Sequence, residues 1–331
     1  MSAAAAAALP ALVPDAPMAA RRMAAREIDE HTEHLADWDL RYDQLDCGAF
    51  RGEFTDIRWP GMQLFVETTT RRLRQRGALP PDSFGLGMLC SGDGELLANG
   101  KRSGLGSLMA VHSTELDFCS PANCTLAGFV LDSTAAPDLL DCVPELAKTL
   151  RGAVTVVANT PETALAPLRR MLLSIAETAL QQPEALQDDA TQRRIRDDLL
   201  LMALDALAGA QVSDRVARAD TRKAVVDRAC AFMLDAQDNP PTLLEVCGQL
   251  ATSPRKLGYC FQDVLGISPA RYIKIIRLNA VRRELRQAAG TDTSVYDVAA
   301  RWGFWHFGHF SADYKRQFAE LPSQTLKGSR G

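Results

Sequence analysis

Two stretches of this chain carry the same pattern, and that duplication constrains the fold more than any other feature of the sequence. Residues 242–269 (TLLEVCGQLATSPRKLGYCFQDVLGISP) lie over residues 294–322 (SVYDVAARWGFWHFGHFSADYKRQFAELP) with one extra residue in the second turn. Thr242 aligns with Ser294, Glu245 with Asp297, Val246 with Val298 and Cys247 with Ala299. Past the extra residue, Leu257 aligns with Phe310, Phe261 with Tyr314, Leu265 with Phe318 and Pro269 with Pro322. Each copy has the parts of a helix-turn-helix. A Thr or Ser cap with an acid three residues on starts a short helix, and small Cys247 or Ala299 allows a close crossing. The turn contains Ala251 or Gly303, and a second helix follows with apolar anchors at i, i+4 and i+8.

Those anchors leave the outer face of each second helix free. In the first copy Ser253 and Pro254 start the helix, the outer face carries Arg255, Lys256, Tyr259 and Gln262, and Ser253 is counted with these four among the candidates for DNA contact. In the second copy it carries His306, Gly308, His309, Ala312, Asp313 and Arg316, with Trp305 where the helix begins. Basic and amide side chains at such positions suit base edges in the major groove, and Lys and Arg at the rims suit phosphates. Trp302, Phe304, Phe307 and Phe310 are expected to be core that seals the second turn, whereas Trp305, His306 and His309 are candidates for DNA contact. Between the copies, SPARYIKIIRLNAVRRELRQ starts at Ser268 and Pro269 and reads as one helix. Some 20 residues make a rod of about 30 Å, close to the ~34 Å between successive major grooves on one face of a duplex.

The remainder of the 331 residues changes character along its length. From Gly61 to about Asp132, short apolar runs (MQLFVETTT, FGLGMLC, GELLANG, LGSLMAV, ELDFCS, TLAGFVLD) separated by Gly, Pro, Asp and Ser read as strands of a small antiparallel sandwich or barrel. From about Asp138 to Ala208 the period turns helical, with Leu168, Leu172 and Ile175, and then Leu200, Leu204 and Leu207, on single faces. Two such helices have more apolar surface than one small barrel is expected to cover, so Leu168, Leu172, Ile175, Leu200 and Leu204 are expected to contribute to a dimer face, the alternative being packing within the chain. The stretch QVSDRVARADTRK reads as a linker, and the proline-interrupted alanine run at the N-terminus as a disordered tail. Charge divides with the architecture. Residues 220–331 hold 16 Lys and Arg against 11 Asp and Glu, net +5, and residues 1–219 hold 21 against 30, net −9. A basic module joined to an acidic one fits a nucleic-acid reader with a separate controlling domain.

The segment from about Lys223 to Lys327 resembles the double helix-turn-helix domain of AraC/XylS-family transcriptional regulators, through LGYCFQDVLGISPARYIKIIRL, VYDVAARWGF and FSADYKRQFAELPS. Ala319 stands where that family usually has Gly, Leu321 replaces the usual Ser before Pro322, and small Gly308 and Ala312 sit where members often carry base-reading side chains. The resemblance implies a sequence-specific transcriptional activator with an effector-binding cupin-like barrel and a helical dimerisation segment. Its implied partners are duplex DNA, RNA polymerase, a small effector and a second copy of the chain. A narrower resemblance, through RLNAVRRELR and WGFWHFGHFSADY, to regulators of the ethanolamine-utilisation operon would make ethanolamine and adenosylcobalamin the effectors. Those residues lie in the DNA-binding part and assign no effector-binding residue. The expected fold class is therefore α+β. In order, it comprises a tail (1–25), an antiparallel cupin-like barrel (26–137), a helical segment (138–210), a linker (211–222) and an all-α double helix-turn-helix domain (223–327).

Two other classes of function are weighed against this reading. A cupin enzyme needs two or three His and a Glu on its metal, yet only His31, His34 and His112 lie outside the DNA-binding part, with no HxH pair on a strand. A looser set of His112, Cys119, Cys124 and Cys142 competes with buried, reduced thiols, which the eight cysteines without a CxxC pair favour and which fit a cytoplasmic protein. No catalytic residue and no metal site is expected, and no stretch has the roughly 18 uncharged apolar residues of a membrane helix. The remaining class is a protein-interaction module that has lost DNA binding; it would lack the steep salt dependence that phosphate contacts impose.

Overall fold

A computed structural model describes residues 18–35, 38–98, 101–112, 116–132, 155–157, 160–208, 216–235 and 241–328. The expected tail up to residue 17, the start of the helical segment with Cys142, and residues 211–215 of the expected linker lie outside these.

Among the described residues the strands are β1 (Ala19–Ala25), β2 (Asp39–Gln44), β3 (Gly52–Trp59), β4 (Met62–Thr69), β5 (Leu73–Ala78), β6 (Ser83–Asp93), β7 (Leu96–Ala98), β8 (Lys101–Ser103), β9 (Leu108–His112), β10 (Leu116–Ser120), β11 (Ala122–Asp132) and β12 (Thr155–Val157). They form two antiparallel sheets, ordered β1-β3-β4-β11-β6-β9-β12 and β2-β5-β10-β7-β8. The sheets face one another without joining into one closed ladder. The six apolar runs expected as strands coincide with β4, β6, β7, β9, β10 and β11. Residues 19–25, expected to be disordered, instead pair with β3 from Ala19↔Arg58 to Ala25↔Gly52. Pairing with β3 satisfies the backbone groups that face it, and Arg21 donates to Asp56 at 2.9 Å.

The larger sheet is apolar on both faces. Along β11, Leu126 and Val130 point between the sheets, and Ala127, Phe129 and Leu131 point outward; on β9, Met109 and Val111 alternate in the same way with Leu108 and Ala110. The outward set needs a cover, which is supplied by α2 (Glu162–Gln181) and α3 (Asp189–Ala208), preceded in the chain by short α1 (Ile28–Glu33). This corrects the expected dimer face. Leu168 and Leu172 are each 1% exposed, Ile175 and Leu200 are buried with them, and Leu204 packs on the same cluster.

The C-terminal half is helical: α4 (Val216–Asp235), α5 (Leu243–Gln249), α6 (Pro254–Val264), α7 (Pro269–Gln287), α8 (Val295–Arg301), α9 (Phe307–Phe318) and α10 (Pro322–Lys327). Residues 216–222, expected as linker, are the start of α4. Val225, Val226, Ala229 and Met233 anchor that helix in the core around α6, and each further residue added to an anchored helix gains a hydrogen bond. Both repeats close as their caps dictate. Thr242 and Glu245 form a full capping box, whereas the shorter Asp297 accepts from the Ser294 hydroxyl at 2.6 Å as Ser294 Oγ caps the Asp297 N–H at 3.1 Å. The two turns reverse through left-handed residues at aligned positions, Ala251 (φ 48) and Gly303 (φ 78).

Helix α7 joins everything. Its first half, with Tyr272, Ile273, Ile275 and Ile276, fills the core of the first repeat, and Leu278, Val281 and Leu285 fill that of the second. Its polar side docks on the smaller sheet. Asn279 exchanges hydrogen bonds with the Gln44 backbone (3.0 and 3.1 Å), and Gln317 of α9 donates to the Gln44 and Asp46 carbonyls. Arg74 on β5 is 1% exposed, bonds Asp117 through two nitrogens at 2.9 and 2.8 Å and reaches the Tyr272 hydroxyl. Asp43 is fully buried beneath Arg283 (2.9 Å) and Arg76 (2.8 Å). Farther along α7, Arg286 pairs with Glu27 at 2.8 Å.

Two predictions follow from this junction and from the cap of α9. Burial alone would raise the carboxyls of Asp43 and Asp117, but Arg283, Arg76 and Arg41 hold the first well below the usual carboxylate range, and Arg74 lowers the second. Groups depressed in the fold stabilise it fully above the unfolded value, about pH 4, and lose that contribution as pH falls through their native values. Melting temperature should therefore fall steeply below about pH 4, and Asp117→Asn should cost about 3–5 kcal/mol at neutral pH by removing the carboxylate that bonds buried Arg74 through two nitrogens. Thermal melts of both proteins across pH check this. Ala319, the C-cap of α9, sits at φ 59 with its N–H on Lys315 O at 2.8 Å. Ala319→Gly should therefore stabilise the chain by about 1 kcal/mol in denaturant titration, because glycine carries no Cβ penalty there.

Candidate nucleic-acid interface

The two reading helices begin at aligned positions, Ser253 being the N-cap of α6 and His306 that of α9. The Ser253 hydroxyl accepts from the Lys256 N–H at 3.2 Å, so the side chain is engaged as a cap; His306 makes no such bond. Leu257, Cys260, Phe261 and Val264 turn α6 inward, which leaves Arg255, Lys256, Tyr259 and Gln262 exposed together on the opposite face. Arg255 and Tyr259, one turn apart, hold each other: Nη2 donates to the phenol oxygen at 3.3 Å, and the guanidinium lies 5.7 Å from the ring centre. That pairing fixes the long Arg side chain over the outer face.

The second helix is organised alike but furnished differently. Phe310, Tyr314, Gln317 and Phe318 are buried, and His306, Gly308, His309, Ala312 and Arg316 are exposed. Asp313 pairs with Lys274 of α7 and with Arg316, tying the end of the reading helix to the rod. Phe310 is core as expected, with Trp302 and Phe304 partly buried against it and the Trp302 indole N–H on Glu284 at 2.7 Å. Phe307 is not core: it is 40% exposed, because it stands at the position of Pro254, where the first turn of the helix faces outward. Trp305 is more exposed still, at 69%.

Sequence reasoning passed over two further exposed side chains, Leu244 (73%) and Tyr296 (55%), which occupy the same position on α5 and α8. Their signal was present in the alignment, a large apolar residue two positions after each cap. It was hidden because a helical apolar residue reads as core until its neighbours are known. Among the described residues no group of three or more His, Cys, Asp and Glu is placed to hold a metal ion. Cys119 and Cys124 are buried, and burial pushes their thiols up to about 12 and about 11, which keeps them protonated and poor ligands. Cys142 and the side chain of His112 lie outside the described residues.

Two caged helix-turn-helix units on one rod, each presenting its second helix outward, define a bipartite helix-turn-helix DNA-binding module. Residues 246–328 match the family model of a helix-turn-helix domain. The chain is 35% identical over 103 residues to a probable thc operon regulatory protein of Rhodococcus erythropolis, covering 31% of each protein. It is 36% identical over 85 residues to the XylDLEGF operon transcriptional activator of Pseudomonas putida, 25% of this chain and 26% of that one. A solved structure, described as a probable AraC family transcriptional regulator from Rhodopseudomonas palustris, is 30% identical and covers 33% of this chain and 99% of that one, with a TM-score of 0.30. The chain thus spans between a quarter and a third of the length of those curated relatives. Residues 246–328 are therefore a helix-turn-helix domain, and the relatives that the chain resembles are transcriptional regulators of the AraC/XylS type.

If the outer face of α6 reads bases, its residues should separate by role. Arg255→Ala should cost about 1–3 kcal/mol on a selected DNA site and relax preference at one base pair, since a guanidinium can bond guanine O6 and N7 together. Lys256→Ala should weaken all duplexes similarly and flatten the salt slope by about one. Titration of both variants against selected and random duplexes checks the assignment, and equal loss on both duplexes for Arg255→Ala would make it a phosphate anchor.

Proposed function

We propose that this protein is a sequence-specific DNA-binding transcriptional regulator, acting as an activator, with its DNA contacts made by Arg255, Lys256, Tyr259 and Gln262 of the first unit and by Trp305, His306, Gly308, His309, Ala312 and Arg316 of the second. The observation that carries this reading is the exposure of one polar, partly basic face on α6 while the rest of that helix is core. Ser253 serves there as the cap that aims the helix. In this reading the protein is not an enzyme, works in the cytoplasm, and meets RNA polymerase when bound at a promoter. Leu173 and Leu201, exposed on α2 and α3, support pairing with a second copy.

The sheets are the effector-binding part of the proposal. Between them lies a cavity of about 40 Å³ walled by Trp38, Phe54, Phe65 and Phe118. The Glu67 carboxylate on its wall accepts from His31 (2.9 Å), the Tyr42 hydroxyl (2.9 Å) and Gln75 (3.1 Å). A water takes about 10–15 Å³ of such space, so the cavity suits a ligand of roughly three or four non-hydrogen atoms. Aromatic walls and a carboxylate favour a small cation, which supports ethanolamine as effector; a corrinoid is far too large for this cavity.

The test is salt-dependent duplex binding by the full chain. Binding should be tight at low salt, with log K falling against log salt at about 0.9 per phosphate neutralised. No duplex binding at low salt would overturn the proposal in favour of a protein-interaction module.

A further inference from the structure

The two units do not present the same chemistry to a duplex. Aligning the N-caps places Gly308 where the first unit has Arg255 and Ala312 where it has Tyr259. A Cβ built on Gly308 would meet nothing within 4 Å, so this part of α9 is an open, smooth surface. Lys256 and Gln262 fall on exposed His309 and Lys315, whereas Arg255 and Tyr259 have no counterpart there. In their place the second unit exposes aromatic rings around the start of the helix: Trp305 at 69%, Phe307 at 40% and Tyr296 at 55%, the last two with ring centres 6.0 Å apart. Beside them stand His306 and His309, their rings 6.3 Å apart. The one long basic side chain among the proposed contacts of α9, Arg316, is held by Asp313.

Exposed rings of this size are costly in water, and a cluster of them at one end of a helix marks a contact surface. What they touch follows from where they lie. They surround the beginning of the helix that corresponds, residue for residue, to the one carrying Arg255, and the beginning of a reading helix is the part that meets base edges. In the major groove the apolar feature is the C5-methyl group of thymine. A helix bare at positions 308 and 312 can approach the base edges closely, which brings Trp305 and Phe307 within reach of those methyls.

We infer that the second unit recognises its half of the DNA site by apolar contact of Trp305 and Phe307 with thymine methyl groups, so that one chain reads two half-sites by different chemistries, hydrogen bonding at α6 and methyl contact at α9. This rests on the DNA-binding function proposed above. Tyr296 buttresses Phe307 from the preceding helix, and the two histidines supply donors to the flanking phosphates.

Uracil in place of thymine removes the methyl and nothing else, so it isolates this contact. A duplex selected in vitro with the full chain would be resynthesised with uracil in one half at a time, and titrated with the wild type and with Trp305→Ala. Loss of one buried methyl should weaken wild-type binding about fourfold. The effect should be confined to one half-site, should shrink in Trp305→Ala, whose melting temperature should stay that of the wild type because the ring is exposed, and should vanish when Phe307→Ala is added. Wild-type binding that is equally tight on thymine and uracil duplexes would overturn the inference and leave the DNA-binding function standing. So would normal affinity and unchanged uracil sensitivity in the Trp305→Ala/Phe307→Ala double variant, which would assign the methyl contact to other residues. Failure to select any duplex would instead remove the DNA-binding function, and this inference with it.

Discussion

Helix α7 is the constraint on which the rest of the C-terminal half depends. It has 11 buried residues in 19, and they face three ways: into the first repeat, into the second, and onto the smaller sheet. A helix buried around so much of its circumference has little freedom to slide or rotate, because each direction of movement opens a cavity in one core. The two reading helices therefore share one frame. Their separation is set by a rod of about 28 Å at 1.5 Å per residue, and each is pinned to that rod, α6 through Phe261 against Tyr272 and α9 through Asp313 on Lys274.

The same rod carries the junction between the sheets and the DNA-reading part, and that junction is polar. Asn279 satisfies both the N–H and the carbonyl of Gln44, as a neighbouring strand would, and Gln317 reaches the same backbone from α9. Deeper in, Arg74 brings together β5, β10, α4 and α7 through Asp117, Cys230 and Tyr272. Polar groups taken out of water must be matched or they cost several kcal/mol each. An interface of this kind holds only in one register, so the sheets sit on α7 in one defined way.

Much of the DNA-binding half was legible in the sequence. The capping residues Thr242, Ser253, Ser268 and Ser294 mark the starts of four helices, and the spacing of Leu257, Phe261 and Leu265 separates core from outer face on α6. The polar candidate contacts of that helix could be named for the same reason, since they are what the apolar anchors leave behind. Strand β5 was not legible. Its LRQRGA reads as a solvated segment, yet Arg74 is one of the most deeply buried side chains of the protein. Nor could the leucines of α2 and α3 be assigned between a partner chain and their own sheet, because an apolar stripe specifies that it is covered and not by what. Phe307 and Tyr296 were ambiguous in the opposite sense, aromatic residues that local pattern places in a core and that stand exposed.

The sequence by itself determined the duplicated unit, its caps, its turns through Ala251 and Gly303, and the rod between the copies, because each depends on residues within a few positions of one another. Only the tertiary structure decided which charges are buried, which apolar faces are covered from within, and which rings stay in water. Those outcomes depend on partners far away in the chain, Arg74 with Tyr272, Gln44 with Asn279, Leu172 with the outer face of the larger sheet, and the energy of burying a side chain is set by what is packed against it.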